Sequence, residues 1–160
     1  MPRIAPVEAS GQNVCAFLDM IAYSEGTAGK GDDGYNVIVG GKTFASYGDH
    51  PRTLVHLRPG LASTAAGRYQ LLERYFDAYK TKMHVPDFSP IAQDAIAIEQ
   101  IQESGALNDI AAGRFAVAIG KCAHIWASLP GAGYGQRENK LEDLRAAYCA
   151  AGGSCAAIEG

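Results

Sequence analysis

The chain has 160 residues, of which 48% are hydrophobic and 19% are charged. This length and composition are typical of one folded domain and exclude an intrinsically disordered tail protein. There are 14 Lys and Arg residues against 17 Asp and Glu residues, which gives a formal net charge of −3. Because nucleic-acid-binding proteins usually carry a clustered basic excess, we expect no nucleic-acid partner.

The chain has no run of 18 apolar residues, and its N-terminal sequence lacks the apolar segment of a secretory signal. We therefore expect a protein that is made in a cytoplasm and has no stable membrane association. Work in another compartment would require release by something other than a cleaved signal.

The first predicted helix follows a segment without hydrophobic periodicity. Residues 1–11 are expected to form a loose arm, and residues 12–160 a single domain. From Asn13 onward, apolar residues recur at the three-four spacing of an amphipathic helix, which Gly26 ends.

A β-rich stretch follows the first helix. Residues 35–39 and 42–47 flank Gly40-Gly41, a pattern that predicts a β-hairpin. Residues 53–62 are expected to be irregular or to form a third short strand.

The rest of the chain is predicted to be helical in short pieces. Ser89 is expected to cap one of these helices, with Pro90 at its first position and Gly105 at its end. The predicted helices span about 68–82, 90–105, 107–112, 114–125 and 138–150. The expected fold class is therefore α+β, with several short helices and one small sheet inserted after the first helix.

One familiar ligand-binding motif occurs in the wrong sequence context, and the common metal-binding patterns are absent. Residues 29–34 match G-x-G-x-x-G, but they follow a predicted helix and would place two carboxylates against a pyrophosphate. No histidines share metal-ligand spacing on one helix face and no C-x-x-C pair occurs, so no metal or cofactor is expected. Cys149 and Cys155 are close enough in sequence to form a disulfide in an oxidising compartment, and the alternative is four free thiols.

Glu25 continues the apolar stripe of the first helix at its C-terminal end. Burial raises the pKa of a carboxyl group, and the negative end of the helix dipole acts in the same direction. A glutamate with a pKa raised to about 6–7 is suited to act as a general acid near neutral pH. The alternative is a frayed helix end whose carboxylate points into water.

Two loops, residues 63–70 and 131–136, combine small residues with aromatic and amide side chains. These side chains are Tyr69, Gln70, Tyr134 and Gln136. Aromatic faces can stack on sugar rings and amides can bond their hydroxyl groups, so the loops are candidates for glycan binding. The alternative is that loop glycines merely turn the chain and the tyrosines anchor in the core.

Long blocks of this sequence, in the same order, resemble the phage lambda endolysin family. The blocks are residues 17–27, 34–41, 49–52, 63–72, 87–90, 93–95 and 125–136, and the resemblance covers roughly residues 14–153. It implies a lysozyme-like fold with a cleft between two lobes. It also implies a lytic transglycosylase, which cuts the β-1,4 bond between N-acetylmuramic acid and N-acetylglucosamine and leaves a 1,6-anhydro end.

The resemblance also assigns roles to individual residues. Glu25 matches the catalytic glutamate, Gln70 lies in an element similar to the G-x-x-Q of other lytic transglycosylases, and Tyr134 matches a cleft tyrosine. The family's Gly-Tyr-Asp-Val reads Gly34-Tyr35-Asn36-Val37 here, so an amide replaces the nearest obvious second carboxylate. The candidate substrate-binding residues are Tyr35, Asn36, Tyr69, Gln70, Tyr134 and Gln136.

The implied mechanism uses one carboxyl group. Glu25 protonates the glycosidic oxygen and then accepts the proton of the muramic C6 hydroxyl as that hydroxyl attacks C1. A conventional glycosidase needs two carboxylates, so a hydrolytic lysozyme would recruit Asp32, Asp33 or Asp49 to assist water. A third alternative is a peptidoglycan-binding relative that has lost catalysis.

The resemblance implies a partner and a place of action as well. The partner is the glycan strand of peptidoglycan, and the chain is expected to act on it as a monomer without a cofactor. Synthesis in the host cytoplasm and action in the periplasm imply release through a holin.

Overall fold

The computed structural model describes residues 1–135 and 137–155. Within these ranges the helices are α1 (Gln12–Ser24), α2 (Glu73–Met83), α3 (Pro90–Glu103), α4 (Leu107–Ala111), α5 (Phe115–Cys122) and α6 (Leu141–Ala150). One antiparallel pair of strands, β1 (Val55–Arg58) and β2 (Leu61–Ser63), lies between α1 and α2. This arrangement confirms the predicted α+β fold. No helix of the described ranges is both long enough and apolar enough to cross a membrane.

The α1 helix forms the centre of the larger of two apolar clusters. Most of its side chains are buried, and it packs against α3, α4 and α6. Phe17 meets Phe115 of α5 edge to face, with ring centroids 6.1 Å apart. Burial on nearly all sides fixes α1 in place, and with it the position of the residue that follows its last turn.

A smaller apolar cluster forms a second lobe around the start of α2 and α3. Its buried members are Ala66, Leu71, Phe76, Phe88 and Ile96. The His50 ring stacks on Phe76 with centroids 5.8 Å apart, and its Nε2 lies 2.9 Å from the Leu71 carbonyl oxygen. Two separate cores leave a boundary between two lobes.

The predicted hairpin over residues 35–47 is wrong in extent. In this stretch the pairing across the glycines is reduced to the bridge between Val37 and Thr43, and Ile38 instead bridges Ala66. Gly40 and Gly41 both have positive φ, 92° and 103°, which turns the chain sharply. The regular strand pair, β1 and β2, lies where an irregular segment or a short strand was expected.

The α2 helix starts at Glu73, five residues later than the predicted residue 68. Ala66 and Leu71 exchange two backbone hydrogen bonds of 3.1 and 2.9 Å, which close a tight loop. Gln70 within this loop has a φ of 54°, a left-handed conformation that a helix cannot contain. By contrast, α3 begins as predicted, because the Ser89 hydroxyl accepts a hydrogen bond from the Ala92 N–H.

Residues 1–11, expected to form a loose arm, lie along the folded domain. The N–H groups of Arg3 and Ile4 donate to Oδ2 of the buried Asp94 at 2.7 and 2.9 Å. The Arg3 guanidinium also pairs with Asp32 at 2.6 Å. Local composition could not reveal these bonds, because the acceptor lies some 90 residues away on α3.

Cys149 and Cys155 form a disulfide, with Cα atoms 5.6 Å apart. The bond joins the end of α6 to a tail that crosses the start of α1. There Asn13 Oδ1 accepts from the Ser154 N–H at 2.9 Å, and Asn13 Nδ2 donates to the Ser154 hydroxyl at 3.0 Å. Cys15 and Cys122 are buried free thiols. Because the other two cysteines are bonded to each other, the alternative of four free thiols is wrong.

Candidate active site

Glu25 lies immediately after the last turn of α1, and its N–H donates to the Ile21 carbonyl oxygen at 2.8 Å. Its side chain is half-buried, and desolvation raises its pKa to about 7. Among the residues the structure describes, none donates a hydrogen bond to this carboxyl group or pairs with it, so nothing there opposes the effect of burial. Glu25 can therefore hold a proton near neutral pH, as the sequence predicted.

Side-chain hydrogen bonds on both sides of Glu25 fix its position. On one side, the Ser24 and Ser128 hydroxyls are 2.7 Å apart. On the other, the Thr27 hydroxyl donates to the Arg68 carbonyl oxygen at 2.6 Å. Glu25 therefore lies between residues 68–70 and residues 126–128, which belong to different parts of the chain.

These two segments also form walls of a cavity of about 240 Å³. Trp126 Nε1 donates to the Tyr69 carbonyl oxygen at 3.0 Å and so joins one wall to the other. The lining residues are Tyr69, Gln70, Leu71, Leu72, Tyr75, Tyr79, Gln100, His124, Ile125 and Trp126. Glu25 is not part of this lining, but its chain neighbours Ser24 and Thr27 bond to Ser128 and Arg68, which lie next to the two walls in sequence.

A more open groove of about 460 Å³ lies between the β1–β2 pair and α2. Leu72 lines both the groove and the cavity. We call the groove and the cavity together the cleft, and its walls are aromatic, amide and aliphatic. Such a cleft offers apolar faces for stacking and polar groups for hydroxyls.

Tyr35 and Tyr69 are held in a buried polar network. Both hydroxyls donate to Asp94 Oδ1, at 2.8 and 2.6 Å. The buried Arg68 guanidinium donates to the Tyr69 hydroxyl at 3.2 Å and to Asp19 at 2.7 Å. Tyr35 is completely buried, whereas Tyr69 reaches the cavity wall. In this conformation the hydroxyls of Tyr35 and Tyr69 make hydrogen bonds that stabilise the fold.

The two candidate amides differ in their surroundings. Gln70 lines the cavity, and its Nε2 donates to the Gly67 and Val37 carbonyl oxygens at 2.9 and 3.3 Å. None of the described residues donates to Gln70 Oε1, which leaves that oxygen for a ligand hydroxyl. Asn36 Oδ1 accepts from the Asp32 N–H at 2.8 Å and so stabilises its own loop. It does not line the cavity.

Tyr134 stands at the rim of the cavity. Its side chain is 57% exposed, and its hydroxyl donates at 3.1 Å to the carbonyl oxygen of His124, a lining residue. The ring therefore presents an open aromatic face beside the cleft. Gln136, the last candidate from this loop, lies outside the described residues.

The three aspartates considered as second carboxylates already have cationic partners. Asp32 pairs with Arg3 at 2.6 Å, Asp33 with the N-terminal ammonium at 3.0 Å, and Asp49 with Arg52 at 2.7 Å. The hydrogen bond from Arg52 lowers the pKa of Asp49. Across residues 1–135 and 137–155, no cluster of three or more His, Cys, Asp or Glu side chains is arranged to hold a metal ion.

A half-buried glutamate with a raised pKa at the end of the central helix of an α+β domain, together with a cavity that has aromatic and amide walls, is typical of a lysozyme-like protein. Comparison with known sequences places it more closely. The family model described as Endolysin matches residues 15–155, and the chain belongs to the endolysin family. The predicted resemblance is thereby confirmed.

Individual relatives agree in sequence and in structure. The chain is 54% identical over 148 residues to the endolysin of Escherichia phage lambda, covering 90% of this chain and 94% of the relative. It is 50% identical over 163 residues to the endolysin of Escherichia phage P2, covering 92% and 98%. The solved structure of bacteriophage lambda lysozyme complexed with a chitohexasaccharide matches with a TM-score of 0.88 and 52% identity over 96% of this chain and 99% of that one.

Proposed function

We propose that this protein cleaves the glycan strands of bacterial peptidoglycan, with Glu25 as general acid. One observation carries the proposal: burial raises the pKa of Glu25 to about 7, at a point where its chain neighbours bond to segments next to the aromatic and amide walls of the cavity. A carboxyl group that holds its proton near neutral pH can donate it to a glycosidic oxygen as the bond to C1 breaks.

The cleft supports a glycan as substrate. A solved relative with 52% identity holds a chitohexasaccharide, a chain of β-linked amino sugars. In this chain the exposed ring of Tyr134 and the free Oε1 of Gln70 offer one stacking face and one acceptor. We assign these two residues to substrate binding, with Tyr69 as a wall of the cavity. We assign Tyr35 and Asn36 to stabilising the fold around the site, through their bonds to Asp94 and Asp32.

The reaction we propose is a lytic transglycosylation with Glu25 as the one acid and base. After donating its proton, the Glu25 carboxylate accepts the proton of the muramic C6 hydroxyl, whose oxygen forms the new bond to C1. No water is added, and a 1,6-anhydro ring remains. One observation favours this scheme over hydrolysis: Asp32, Asp33 and Asp49 are engaged in ion pairs. The family resemblance also implies an amide, Asn36, in place of a carboxylate.

Mass spectrometry of the muropeptides released from purified sacculi tests the chemistry. We expect products with 1,6-anhydro-muramic ends. Reducing ends would overturn the transglycosylase proposal and make the protein a hydrolytic lysozyme, with water activated by a second group.

Glu25→Gln tests the assignment of the acid. The amide keeps the shape of the side chain but cannot donate a proton, so we expect the rate of muropeptide release to fall by about a thousandfold or more. Cooperative unfolding of the variant is the control for its fold. Wild-type protein that binds sacculi without releasing muropeptides would instead indicate a binding protein.

Glycan cleavage also sets the biological role that we propose. The protein would act as a monomer on the cell wall in the periplasm during host lysis, after a holin releases it from the cytoplasm. Sedimentation of the purified chain tests the monomer. Host cells that express the chain should lyse only when a holin is expressed with it.

A further inference from the structure

The chain segment that carries Tyr134 is closed at its base beside Glu25. The Asn139 N–H donates to the Ser128 carbonyl oxygen at 2.8 Å. The Asn139 side chain donates to the carbonyl oxygen and the hydroxyl of Ser24 at 3.1 and 3.0 Å. Ser128 and Asn139, which precede and follow this segment, therefore lie together next to the last turn of α1.

Inside this closed segment, a single carboxylate holds the Gly-rich loop, which we define as residues 131–135. Glu138 Oε1 accepts from the Gly131 N–H at 3.0 Å, and Oε2 accepts from the Gly133 N–H at 3.1 Å. These two bonds lower the pKa of Glu138, so it is ionised at neutral pH. Both glycines have positive φ, 86° and 74°, so the backbone turns between the two bonds.

Two further bonds orient this loop: the Ala132 N–H donates to the Leu129 carbonyl oxygen at 3.3 Å, and the Tyr134 hydroxyl donates to the His124 carbonyl oxygen at 3.1 Å. Tyr134 is the residue directly after Gly133, so the bond to Glu138 Oε2 fixes the backbone from which the ring projects. Glu138 is itself exposed. Without it, the two N–H groups could be solvated by water, so the global fold does not depend on this carboxylate.

We propose that Glu138 is a positioning residue for substrate binding: its carboxylate holds the Gly-rich loop so that the Tyr134 ring faces the glycan at the rim of the cavity. This inference rests on the proposed function, because it names how one wall of that site is kept in place. In this assignment Glu138 acts through its bonds to Gly131 and Gly133 and takes no part in proton transfer. A preordered loop binds better because less conformational freedom is lost on binding.

The test compares Glu138→Ala and Glu138→Gln with Glu142→Gln as a matched control. Glu142 is an exposed glutamate four residues further on, in the first turn of α6. With soluble glycan fragments as substrate, Glu138→Ala should raise KM about five- to tenfold with little change in kcat. Glu138→Gln keeps one carbonyl acceptor and should give a smaller rise. Glu142→Gln should behave as wild type.

A double-mutant cycle separates positioning from other effects. If Glu138 acts through Tyr134, then Glu138→Ala should add no further rise in KM when Tyr134 is already alanine. Additive effects in the cycle would overturn the proposal. So would an unchanged KM in Glu138→Ala, an equal rise in Glu142→Gln, or a change confined to kcat.

The same comparison can be made without turnover. On a Glu25→Gln background, chitohexaose binding measured by calorimetry should weaken about five- to tenfold on Glu138→Ala, while the unfolding temperature stays the same. If the wild type released no muropeptides, the proposed cleavage would fail, but this binding experiment would still decide the role of Glu138. Equal affinity with and without Glu138 would refute it.

Discussion

The raised pKa of Glu25 suits this residue to act as an acid, but it lowers the stability of the folded protein at high pH. Its ordinary pKa is 4.5 and the folded protein raises it to about 7. The folded state thus binds the proton more tightly than the unfolded state does. The stability that this protonation contributes is fully present below about pH 4.5 and is lost as the pH rises through about 7.

Glu25→Gln should therefore stabilise the protein in alkaline solution. At pH 8 the variant should exceed wild type by up to about 3 kcal/mol, because one pKa unit corresponds to about 1.4 kcal/mol. At pH 4 the two should unfold alike. Urea unfolding at the two pH values measures this, and a variant no more stable than wild type at pH 8 would contradict the raised pKa.

Some of the site was predictable at the residue scale and some was not. The raised pKa of Glu25 could be predicted because the residue falls on an apolar helical stripe, a pattern that local sequence carries. The aromatic and amide character of the second loop made Tyr134 a candidate in the same way. The burial of Tyr35 could not be predicted, because its hydroxyl bonds to Asp94, 59 residues away. A tyrosine in a cleft and a tyrosine bonded to a buried carboxylate look alike in sequence.

At the scale of elements, helices set by local sequence were predicted well, and turns set by distant contacts were not. The α1 and α3 helices follow from periodicity and capping, which act within a few residues. The start of α2 and the hairpin at residues 35–47 were misplaced, because mutual bonds between Ala66 and Leu71 and a bridge from Ile38 to Ala66 override local preference. Pairings between distant segments leave no local pattern.

Asp94 of α3 bonds to the N-terminal arm and to the segments that carry Tyr35 and Tyr69, so a substitution at Asp94 should destabilise more than one of them. Its carboxylate accepts hydrogen bonds from the N–H groups of Arg3 and Ile4 and from the hydroxyls of Tyr35 and Tyr69. Asp94→Asn would direct an amide N–H₂ at groups that are themselves donors. We expect a loss of about 3 kcal/mol and faster proteolysis within residues 1–11.

Chemical unfolding and limited trypsin digestion measure these two effects. Asp143→Asn, on the exposed face of α6, is the control and should change neither. Destabilisation of Asp94→Asn with an unaltered rate of arm cleavage would show that the arm is held by other contacts.

On the scale of the whole molecule, the Cys149–Cys155 disulfide closes a short loop after α6, and Ser154 in this loop bonds to the start of α1. The tail that it anchors bonds to Asn13 at the start of α1, and Glu25 lies at the other end of that helix. A disulfide stabilises chiefly by restricting the unfolded chain, and a loop this short gives about 2 kcal/mol.

Cys155→Ser should therefore lower stability by about 2 kcal/mol under oxidising conditions. Wild type should fall to the level of the variant when dithiothreitol is added, whereas the variant should not respond. Thermal unfolding with and without reductant measures both. Equal stability of oxidised wild type and variant would show that the tail contacts persist without the covalent bond.

The oxidation state of the cysteines also depends on the compartment in which the molecule is found. Burial raises the pKa of Cys15, and that of Cys122 to about 12, so these two thiols react slowly. Cys149 and Cys155 can respond, since reducing cytosols keep such pairs open and oxidising compartments close them. Closure removes two hydrogen atoms, a difference that intact-mass spectrometry of alkylated samples can read. The fraction of closed molecules in a culture would then report how much of the protein has left a reducing environment.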